Sequence, residues 1–412
     1  MKVVIIGNSA AAVGCIEGLR AAGSKAEITV ISDENYPVYS RPLISYYLYG
    51  KVQKEKMGYR DADFYEKNAV TLIKGTKAEA IDTKAKTVAA GGKKYPYDKL
   101  LIATGSVPFY PQIEGMNEKN TQTFLKRDDA EAIKALIKPE TRVVIAGAGL
   151  IGLKAAEGLA PHCARITVIE LANRVMPTIL DEKAASYLQK ALEEKGVEII
   201  LDDSITKVSG VDYVTGITTK SGREVPCDLF VLAVGVRPNV KLAQDIGVKT
   251  GRGIIVDETC RTNVENIYAA GDVTESRDAV SGEIKIMALW PNAYAQGETA
   301  GMHMTGSNCT CPPLFPMNAV TFFGYPVITA GILDANTSTV YEREDGNGFA
   351  RLYIREHNLT GVALFGNAVD RAGLFTTLIR EKTPIQSPEE LLGPKFGLKW
   401  YDKATRMEKL AK

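Results

Sequence analysis

The chain has 412 residues, too many for one ordinary hydrophobic core, and we therefore expect two or three domains. Hydrophobic residues make up 45% of the sequence and charged residues 24%, which is typical of a soluble globular protein. The formal net charge of +1 argues against a dedicated nucleic-acid-binding protein. The first residues already predict a strand, and no apolar run is long enough to span a membrane, so we expect a cytoplasmic location.

The histidine and cysteine content gives little support for a metal site. The three histidines lie far apart, and the six cysteines include no Cys-x-x-Cys pair. We therefore predict no metal ligands and no disulfide framework. Cys309 and Cys311, separated by one residue in a loop, leave three alternatives: a strained disulfide, a soft-metal site or two ordinary thiols.

Residues 2–31 predict a βαβ unit. Two strands rich in β-branched residues flank a small-residue helix at about 9–22. The turn before the helix reads GNSAAA (7–12), a loose dinucleotide fingerprint in which Ser9 and Ala12 replace the second and third glycines. Taken alone, this turn fits a bound dinucleotide and simple helix packing equally well.

Strand signals continue after this unit. Residues 70–98 alternate around a Gly-Gly pair and predict a β-meander. Residues 99–108 and 228–239 predict two matching buried strands, which end at Gly105 and Gly235. The match indicates that the chain contains the same nucleotide-binding unit twice.

The second βαβ pattern, at residues 142–170, has the cleaner fingerprint. In the turn, Gly147 allows a tight bend, Gly149 lets a pyrophosphate approach the backbone, and Gly152 packs the helix on the strand. Glu170 ends the next strand, where a carboxylate accepts hydrogen bonds from an adenosine ribose and repels a 2′-phosphate. We therefore predict NAD binding, with NADH preferred over NADPH.

The remaining elements complete one nucleotide domain and add a third domain. Residues 265–273 predict an apolar strand that ends at Gly-Asp. Residues 291–304 predict a helix that opens on Pro291, a favoured first helical position. From about residue 312, short strands and one helix predict an α+β domain.

Five motifs occur along the chain in one order: GNSAAA, ATG (103–105), GAGLIG, VGVRPN (234–239) and AAGD (269–272). In this order they resemble the FAD-dependent pyridine nucleotide–disulfide oxidoreductases. YSRPLISYYL (39–48) and FPMNAVTFFGYPVITAGI (315–332) are similar to the branch that contains NADH-rubredoxin reductases and the flavin portion of assimilatory nitrite reductases. The resemblance covers nearly the whole chain before its C-terminal tail.

This resemblance implies the fold and the cofactors. The predicted fold class is α/β, with two Rossmann-like nucleotide-binding domains, for FAD and NAD(H), and a C-terminal α+β domain. The predicted boundaries are 1–110 (FAD-binding, first part), 111–235 (NAD-binding), 236–311 (FAD-binding, second part), 312–385 (C-terminal α+β) and 386–412 (basic tail).

The resemblance also implies roles for individual residues. Asp272 would hold the ribityl chain, and the helix at 291–304, with Asn292, would face the flavin N1–O2 edge with its positive end. An acidic residue after the second strand, Asp33 or Glu34, would bind the adenosine ribose. The other residues implied for FAD are Gly7, Ser9, Ala12, Arg41, Pro42, Ala78, Thr104, Gly105 and Gly271, and Gly235 joins the NAD-binding set.

Departures from the family pattern bear on the mechanism. Disulfide reductases of this family carry a reactive cysteine in the segment that matches 39–48, and this chain has none there, so we predict no thiol intermediate and no catalytic side chain. Cys15 is expected in the core. Lys154 stands where relatives often place a glutamate near the nicotinamide. Arg174 argues against the NADH preference, because a cation near Glu170 attracts a 2′-phosphate.

We therefore expect a FAD-dependent NAD(P)H oxidoreductase, a monomer or homodimer, that passes electrons between NADH and a small acidic carrier, a rubredoxin or an iron–sulfur protein. Two alternatives stay open: an NADH oxidase or diaphorase that reduces oxygen or a small molecule directly, and a flavoprotein that acts as an NADH-responsive regulatory partner. Residues 395–412 carry a net charge of +4, which predicts either a docking surface for the carrier or a solvated tail.

Overall fold

The computed structural model describes residues 1–346, 348–397 and 407. Within these residues the chain forms two parallel sheets and one antiparallel sheet of five strands each, together with smaller sheets. The first parallel sheet contains, in spatial order, Ile267–Ala269, Lys99–Ile102, Lys2–Ile6, Glu27–Ile31 and Val70–Ile73. The second contains Val197–Ile200, Arg165–Ile169, Arg142–Ala146, Leu229–Leu232 and Gln122–Thr123. The predicted α/β fold class is confirmed.

Helices connect the strands. The α-helices are Ala10–Ala21 (the first helix), Ile44–Tyr49, Phe64–Lys67, Arg127–Leu136, Leu150–Leu159, Glu182–Glu193, Lys241–Gln244, Trp290–Met304 (the long helix), Ala372–Glu381 and Pro388–Leu392. Short 3₁₀ turns lie at Arg41–Leu43, Lys54–Lys56, Ala160–His162 and Asn367–Arg371. Among the residues described, no helix is long and apolar enough to cross a lipid bilayer.

The predicted meander is confirmed in part. Ala78–Asp82, Thr87–Ala90 and Lys93–Pro96 form an antiparallel sheet, but Val70–Ile73 was wrongly included, because it pairs in parallel with Glu27–Ile31 at the edge of the first sheet. Its partly exposed position explains the alternation that misled the prediction. The other small sheets contain Ile205–Ser209, Gly216–Thr219 and Glu224–Pro226; Ser106–Pro108 and Val236–Pro238; and Ile254–Ile255, Thr274–Arg277 and Ile284–Lys285.

The C-terminal sheet is antiparallel and packs against the second nucleotide-binding unit. Its strands are, in spatial order, Met317–Phe322, Tyr325–Gly331, Asn358–Gly366, Gly348–Arg355 and Thr339–Asp345. The last strand was missed, because its largely exposed charged residues give no apolar pattern. At the domain contact, Tyr187 stacks on Phe349 with ring centroids 4.1 Å apart. Arg351 pairs with Asp181 at 2.8 Å, and Asp181 also caps the following helix.

The first helix and the long helix cross in backbone contact. On the first helix, a Cβ added to Gly14 or Gly18 would meet the backbone of the long helix, at Tyr294 or Glu298. On the long helix, a Cβ added to Gly297 or Gly301 would meet the backbone of the first helix, so that each helix presents glycines four residues apart. A Cβ added to Gly297 would lie 2.0 Å from the Ala11 carbonyl oxygen, closer than real side chains approach. The glycines therefore let the two helices approach closely enough for both N-termini to reach the same end of the first sheet.

The basic tail was predicted mainly on residues outside the described part of the chain, namely 398–406 and 408–412. Its role therefore stays a prediction. The proposed domain boundaries also stay predictions, although the first sheet does draw its strands from residues 2–102 and 267–269, on both sides of the second sheet in sequence.

Candidate cofactor sites

A cleft of about 540 Å³ opens at the carboxyl ends of the strands of the first sheet. It lies where the strand order reverses, between Lys2–Ile6 and Lys99–Ile102, and open α/β sheets bind their ligands at such points. Of the residues predicted to bind FAD, those in its wall are Gly7, Ser9, Asp33, Glu34, Arg41, Ala78, Thr104, Gly105, Gly271 and Asp272. The fold thus brings most of the predicted set together from separate segments.

Three predicted residues lie outside the wall of this cleft. Ala12 is fully buried in the core behind the turn, where a small side chain lets the helix pack closely. Pro42 is exposed in its 3₁₀ turn. Asn292 is buried between two wall residues, Trp290 and Ala293. Ala12 is therefore not placed for direct contact with a ligand in the cleft, and the role predicted for Pro42 beside the flavin stays a prediction.

The turn after the first strand is shaped for an anion. Gly7 has a φ of +111°, and a Cβ there would lie 2.1 Å from the Ala103 carbonyl oxygen, so only glycine fits. Ser9 then leads into the first helix, whose first residues, Ala10 and Ala11, line the cleft. The unpaired amides and the positive end of this helix favour a pyrophosphate.

The two carboxylates after the second strand differ in their contacts. Glu34 is buried, and its Oε1 accepts hydrogen bonds from the Tyr36 and Tyr39 hydroxyls at 3.1 and 3.0 Å. Its Oε2 pairs with Arg41 at 2.6 Å, which holds the guanidinium in the wall of the cleft. Asp33, with a side chain 55% exposed, is ion-paired to a lysine and still borders the cleft. Of the two alternatives for the adenosine ribose, these contacts favour Asp33.

Polar groups beside the long helix fit the flavin end of FAD. Asp272 lines the cleft, and desolvation raises the pKa of its carboxyl although nearby Arg41 opposes the shift. Asn292 is buried, and its Nδ2 finds no hydrogen-bond acceptor among the residues described. A buried amide in this state is destabilising unless a ligand supplies an acceptor. A ribityl hydroxyl that donates to Asp272 and a flavin carbonyl that accepts from Asn292 would satisfy both groups.

The second sheet carries a turn of the same construction. Gly147 has a φ of +99°, and a Cβ there would lie 2.5 Å from the Ala233 carbonyl oxygen. A Cβ on Gly152 would lie 2.0 Å from the Gly147 carbonyl oxygen, so the helix can pack on its turn only with glycine there. The space in front of Gly149 is open in the described structure, which leaves room for a pyrophosphate. Gly235, with a φ of +111°, turns the chain beside this site.

Glu170 and Arg174 have distinct surroundings at this second turn. The Glu170 carboxylate accepts hydrogen bonds from the amides of Ala148, at 2.7 Å, and Ala172, at 2.9 Å, and so braces the glycine turn. The Arg174 guanidinium donates to two backbone carbonyls of the following loop and to the Asn173 side chain. Both charged groups are thus engaged by neighbouring protein groups, and the preference for NADH stays a prediction.

Lys154 links the second nucleotide-binding unit to the C-terminal sheet. Its ammonium pairs with Glu157 one helical turn later and donates to the Thr321 carbonyl at 3.0 Å. It also lies 4.7 Å from the centroid of the Tyr46 ring. Glu157 in turn accepts from the Phe323 amide at 3.0 Å. The positive charge of Lys154, which stands where relatives often place a glutamate, is therefore compensated by Glu157.

All six cysteines are free thiols. Cys15 is fully buried, as predicted, and burial raises its pKa to about 12. Cys311 accepts a hydrogen bond from the thiol of Cys260, which lowers the pKa of Cys311. The Cys309 thiol instead donates to the Thr299 carbonyl at 3.7 Å. No cysteine lies in the described wall of the cleft. In the described part of the chain, no group of three or more histidine, cysteine or acidic residues is arranged to hold a metal ion.

The sequence-based prediction missed part of the cleft wall. The residues that it missed include Asn8, Lys77, Glu79, Val107, Lys126, Asn239, Lys241, Asp245 and Trp290. Most of them come from segments between the motifs, and only the fold brings these segments to the cleft. Trp290 did carry a signal, since it directly precedes the proline at the predicted start of the long helix.

The similarity to known proteins extends over both glycine turns. The model of the pyridine nucleotide-disulphide oxidoreductase family matches residues 1–297. The chain belongs to this family. Its cofactors are therefore FAD and NAD(H), and the two turns described above are the places in the fold whose residues fit them.

Similar proteins include electron-transfer components. The assimilatory nitrate reductase electron transfer subunit of Bacillus subtilis is 31% identical over 95% of this chain and 51% of its own length, so the chain spans about half of that relative. The rubredoxin-NAD(+) reductase of Pseudomonas putida is 29% identical over 76% of this chain and 82% of its own. A ferredoxin reductase structure from Rhodopseudomonas palustris superposes with a TM-score of 0.89 at 26% identity, covering 97% of this chain and 99% of that one.

Proposed function

We propose that this protein is a FAD-dependent NAD(P)H oxidoreductase that passes electrons between NADH and a small rubredoxin or ferredoxin-like iron–sulfur protein, without a thiol intermediate. The proposal rests on the segment 39–48, which borders the cleft at Arg41 and contains no cysteine. Disulfide reductases of the family have their reactive cysteine in this segment. The similarity to a rubredoxin-NAD(+) reductase and to a ferredoxin reductase supports the proposal.

In this proposal the side chains bind and orient, and the bound FAD converts two-electron hydride chemistry into single-electron steps. Residues 1–110 and 236–311 hold FAD, residues 111–235 hold NADH, and residues 312–385 pack on the second unit. Asp33 binds the adenosine ribose of FAD, Asp272 the ribityl chain, and no side chain acts as an acid, base or nucleophile.

The proposal is tested by anaerobic NADH oxidation with FAD-loaded protein and a panel of acceptors: rubredoxin, a [2Fe–2S] ferredoxin and ferricyanide, with oxygen tested separately. We expect one of the two carrier proteins to be reduced much faster than oxygen. Faster reduction of oxygen would instead support an NADH oxidase. Full flavin reduction by NADH with negligible turnover on every acceptor would support the regulatory alternative.

Cofactor specificity gives a first prediction. Replacing Glu170 by alanine is expected to lower the preference for NADH over NADPH about tenfold, because about 1.4 kcal/mol of charge repulsion and ribose hydrogen bonding is lost. The measurement is kcat/KM for both nucleotides with ferricyanide as acceptor. Glu170→Gln, which keeps an acceptor without the charge, separates repulsion from hydrogen bonding. Arg174→Ala is the matched control, and a gain of NADH preference in that variant would show that Arg174 attracts the 2′-phosphate.

Thiol chemistry gives a second prediction. Treating the native protein with iodoacetamide is expected to leave NADH-to-ferricyanide transfer intact, because the cleft wall described above contains no cysteine. The partly exposed Cys163, Cys309 and Cys311 are the sites for labelling, whereas burial raises the pKa of Cys227 to about 12 and keeps it unreactive. Mass spectrometry counts the labels. Activity lost in proportion to the labelling of one cysteine would contradict a thiol-independent mechanism.

A further inference from the structure

Trp290 connects the FAD cleft to the protein surface. Its indole lines the cleft, and it contacts Tyr59 edge to face, with ring centroids 4.9 Å apart and an interplanar angle of 87°. Both residues are partly exposed. Two aromatic side chains in contact therefore span the wall between the cofactor site and solvent.

A network of contacts holds the outer ring in place. The Arg60 guanidinium lies 4.2 Å from the centroid of the Tyr59 ring. Glu17 of the first helix binds this guanidinium through both oxygens, at 2.7 and 2.9 Å. Glu17 also accepts a hydrogen bond from Tyr294 of the long helix at 2.7 Å. The surface is thus fixed to both helices that border the cleft, and such pre-organisation lowers the entropic cost of binding a partner.

The segment that carries Tyr59 is basic. Residues 51–60 contain four cationic side chains and one acidic one, for a net charge of +3 in sequence. Lys54 and Arg60 are ion-paired to glutamates of other segments, whereas Lys56 is exposed. Two backbone hydrogen bonds hold this segment beside residues 38–40, which precede Arg41. The Ser40 amide donates to the Met57 carbonyl, and the Tyr59 amide donates to the Val38 carbonyl. Aromatic residues and arginine are enriched in the centres of protein interfaces, and surrounding charges select the partner and speed its approach.

We propose that electrons leave the FAD cleft through Trp290 and Tyr59, and that an acidic one-electron carrier protein docks on Tyr59, Arg60 and Lys56. The inference rests on the proposed function. The rate of electron transfer falls steeply as the distance between the two redox centres grows. A carrier that docks here would be separated from the cofactor by only two side chains, Trp290 and Tyr59. For each NADH oxidised to NAD⁺, two ferric centres become ferrous and one proton is released.

The electron path is tested with Tyr59 variants and rubredoxin or [2Fe–2S] ferredoxin, whichever the unmodified protein reduces faster. We expect Tyr59→Leu to slow reoxidation of the reduced protein by the carrier about tenfold, since truncating an interface aromatic removes much of the binding energy as well as the path. Tyr59→Phe should retain the unmodified rate. Two control rates should be equal in the unmodified protein and in both variants. They are the rate of flavin reduction by NADH and the rate of reoxidation by ferricyanide, which needs no docking surface.

Docking is tested by a binding measurement that needs no turnover. By calorimetric titration with the oxidised carrier at low salt, Lys56→Glu is expected to weaken binding about tenfold, and the difference should shrink as added salt screens the charges. Lys220→Glu, an exposed lysine of the second unit, is the matched control with the same change in net charge. Trp290 is one of two tryptophans, and equal quenching of its fluorescence by FAD in each variant shows that the cleft is intact.

The outcomes separate this inference from the proposed function. Suppose that the unmodified protein reduces a carrier, that Tyr59→Leu is reoxidised by this carrier at the unmodified rate, and that Lys56→Glu binds it with the unmodified affinity. The electron path then lies elsewhere, and the inference is wrong. If the unmodified protein reduces no carrier at all, the proposed function fails, and the inference fails with it.

Discussion

Replacing Gly297 by alanine is expected to cost the protein its FAD and much of its stability. The added Cβ would lie 2.0 Å from the Ala11 carbonyl oxygen, and that oxygen belongs to a rigid helix. The first helix and the long helix must then move apart, which destabilises the fold by about 1–3 kcal/mol. The movement also separates the two helix N-termini that border the cleft. Thermal unfolding and the flavin content of the purified protein measure the two effects.

Gly373→Ala is the matched control for this prediction. Gly373 also lies in a helix, but an added Cβ would meet no atom within 4 Å among the residues described. Alanine is the better helix former by about 1 kcal/mol, so this variant should be as stable as the unmodified protein or slightly more stable. Equal stability and FAD content in Gly297→Ala would mean that the helices do not cross in backbone contact.

Replacing Asp272 by alanine is expected to weaken FAD binding about tenfold or more, because a hydrogen bond between a carboxylate and a ribityl hydroxyl is lost at a poorly solvated site. The measurement is flavin fluorescence during titration of the apo-protein with FAD. Asp245→Ala is the control: Asp245 borders the same cleft but is exposed and ion-paired to Lys241, so its loss should change FAD affinity little. Unchanged FAD affinity in Asp272→Ala would remove this residue from the site.

The same carboxyl predicts a pH dependence. Desolvation raises the pKa of Asp272 above its ordinary value of 3.8. A ribityl hydroxyl donates best to the ionised carboxylate, so FAD affinity should be full above the raised pKa and decline as the pH falls through it. Asp272→Asn, which does not titrate, should show a flatter profile over that range. An identical decline in both proteins would point to another titrating group.

Much of the cofactor chemistry could be predicted from local sequence. A turn such as GAGLIG requires glycine for reasons that act within a few residues, as the contact between Gly152 and the Gly147 carbonyl shows. The inner parallel strands were predicted equally well, because strands buried on both faces have continuous apolar sequences. Val197–Ile200 and Gln122–Thr123, at the two edges of the second sheet, were not predicted. The edge strand Val70–Ile73 and the charged strand Thr339–Asp345 were misread or missed, since partial exposure weakens that pattern.

The sequence by itself determined the two dinucleotide turns, the α/β class and the family, because those signals are local and recur in a fixed order. Only the tertiary structure decided the contacts of the acidic pair, since the fold brings two hydroxyls and a guanidinium to Glu34 and leaves Asp33 more exposed. It also decided that Ala11 and Gly297, which lie far apart in the sequence, meet in backbone contact, and that Tyr59 reaches Trp290. Contacts of this kind depend on where distant segments pack, and a pattern confined to one segment carries no information about that position.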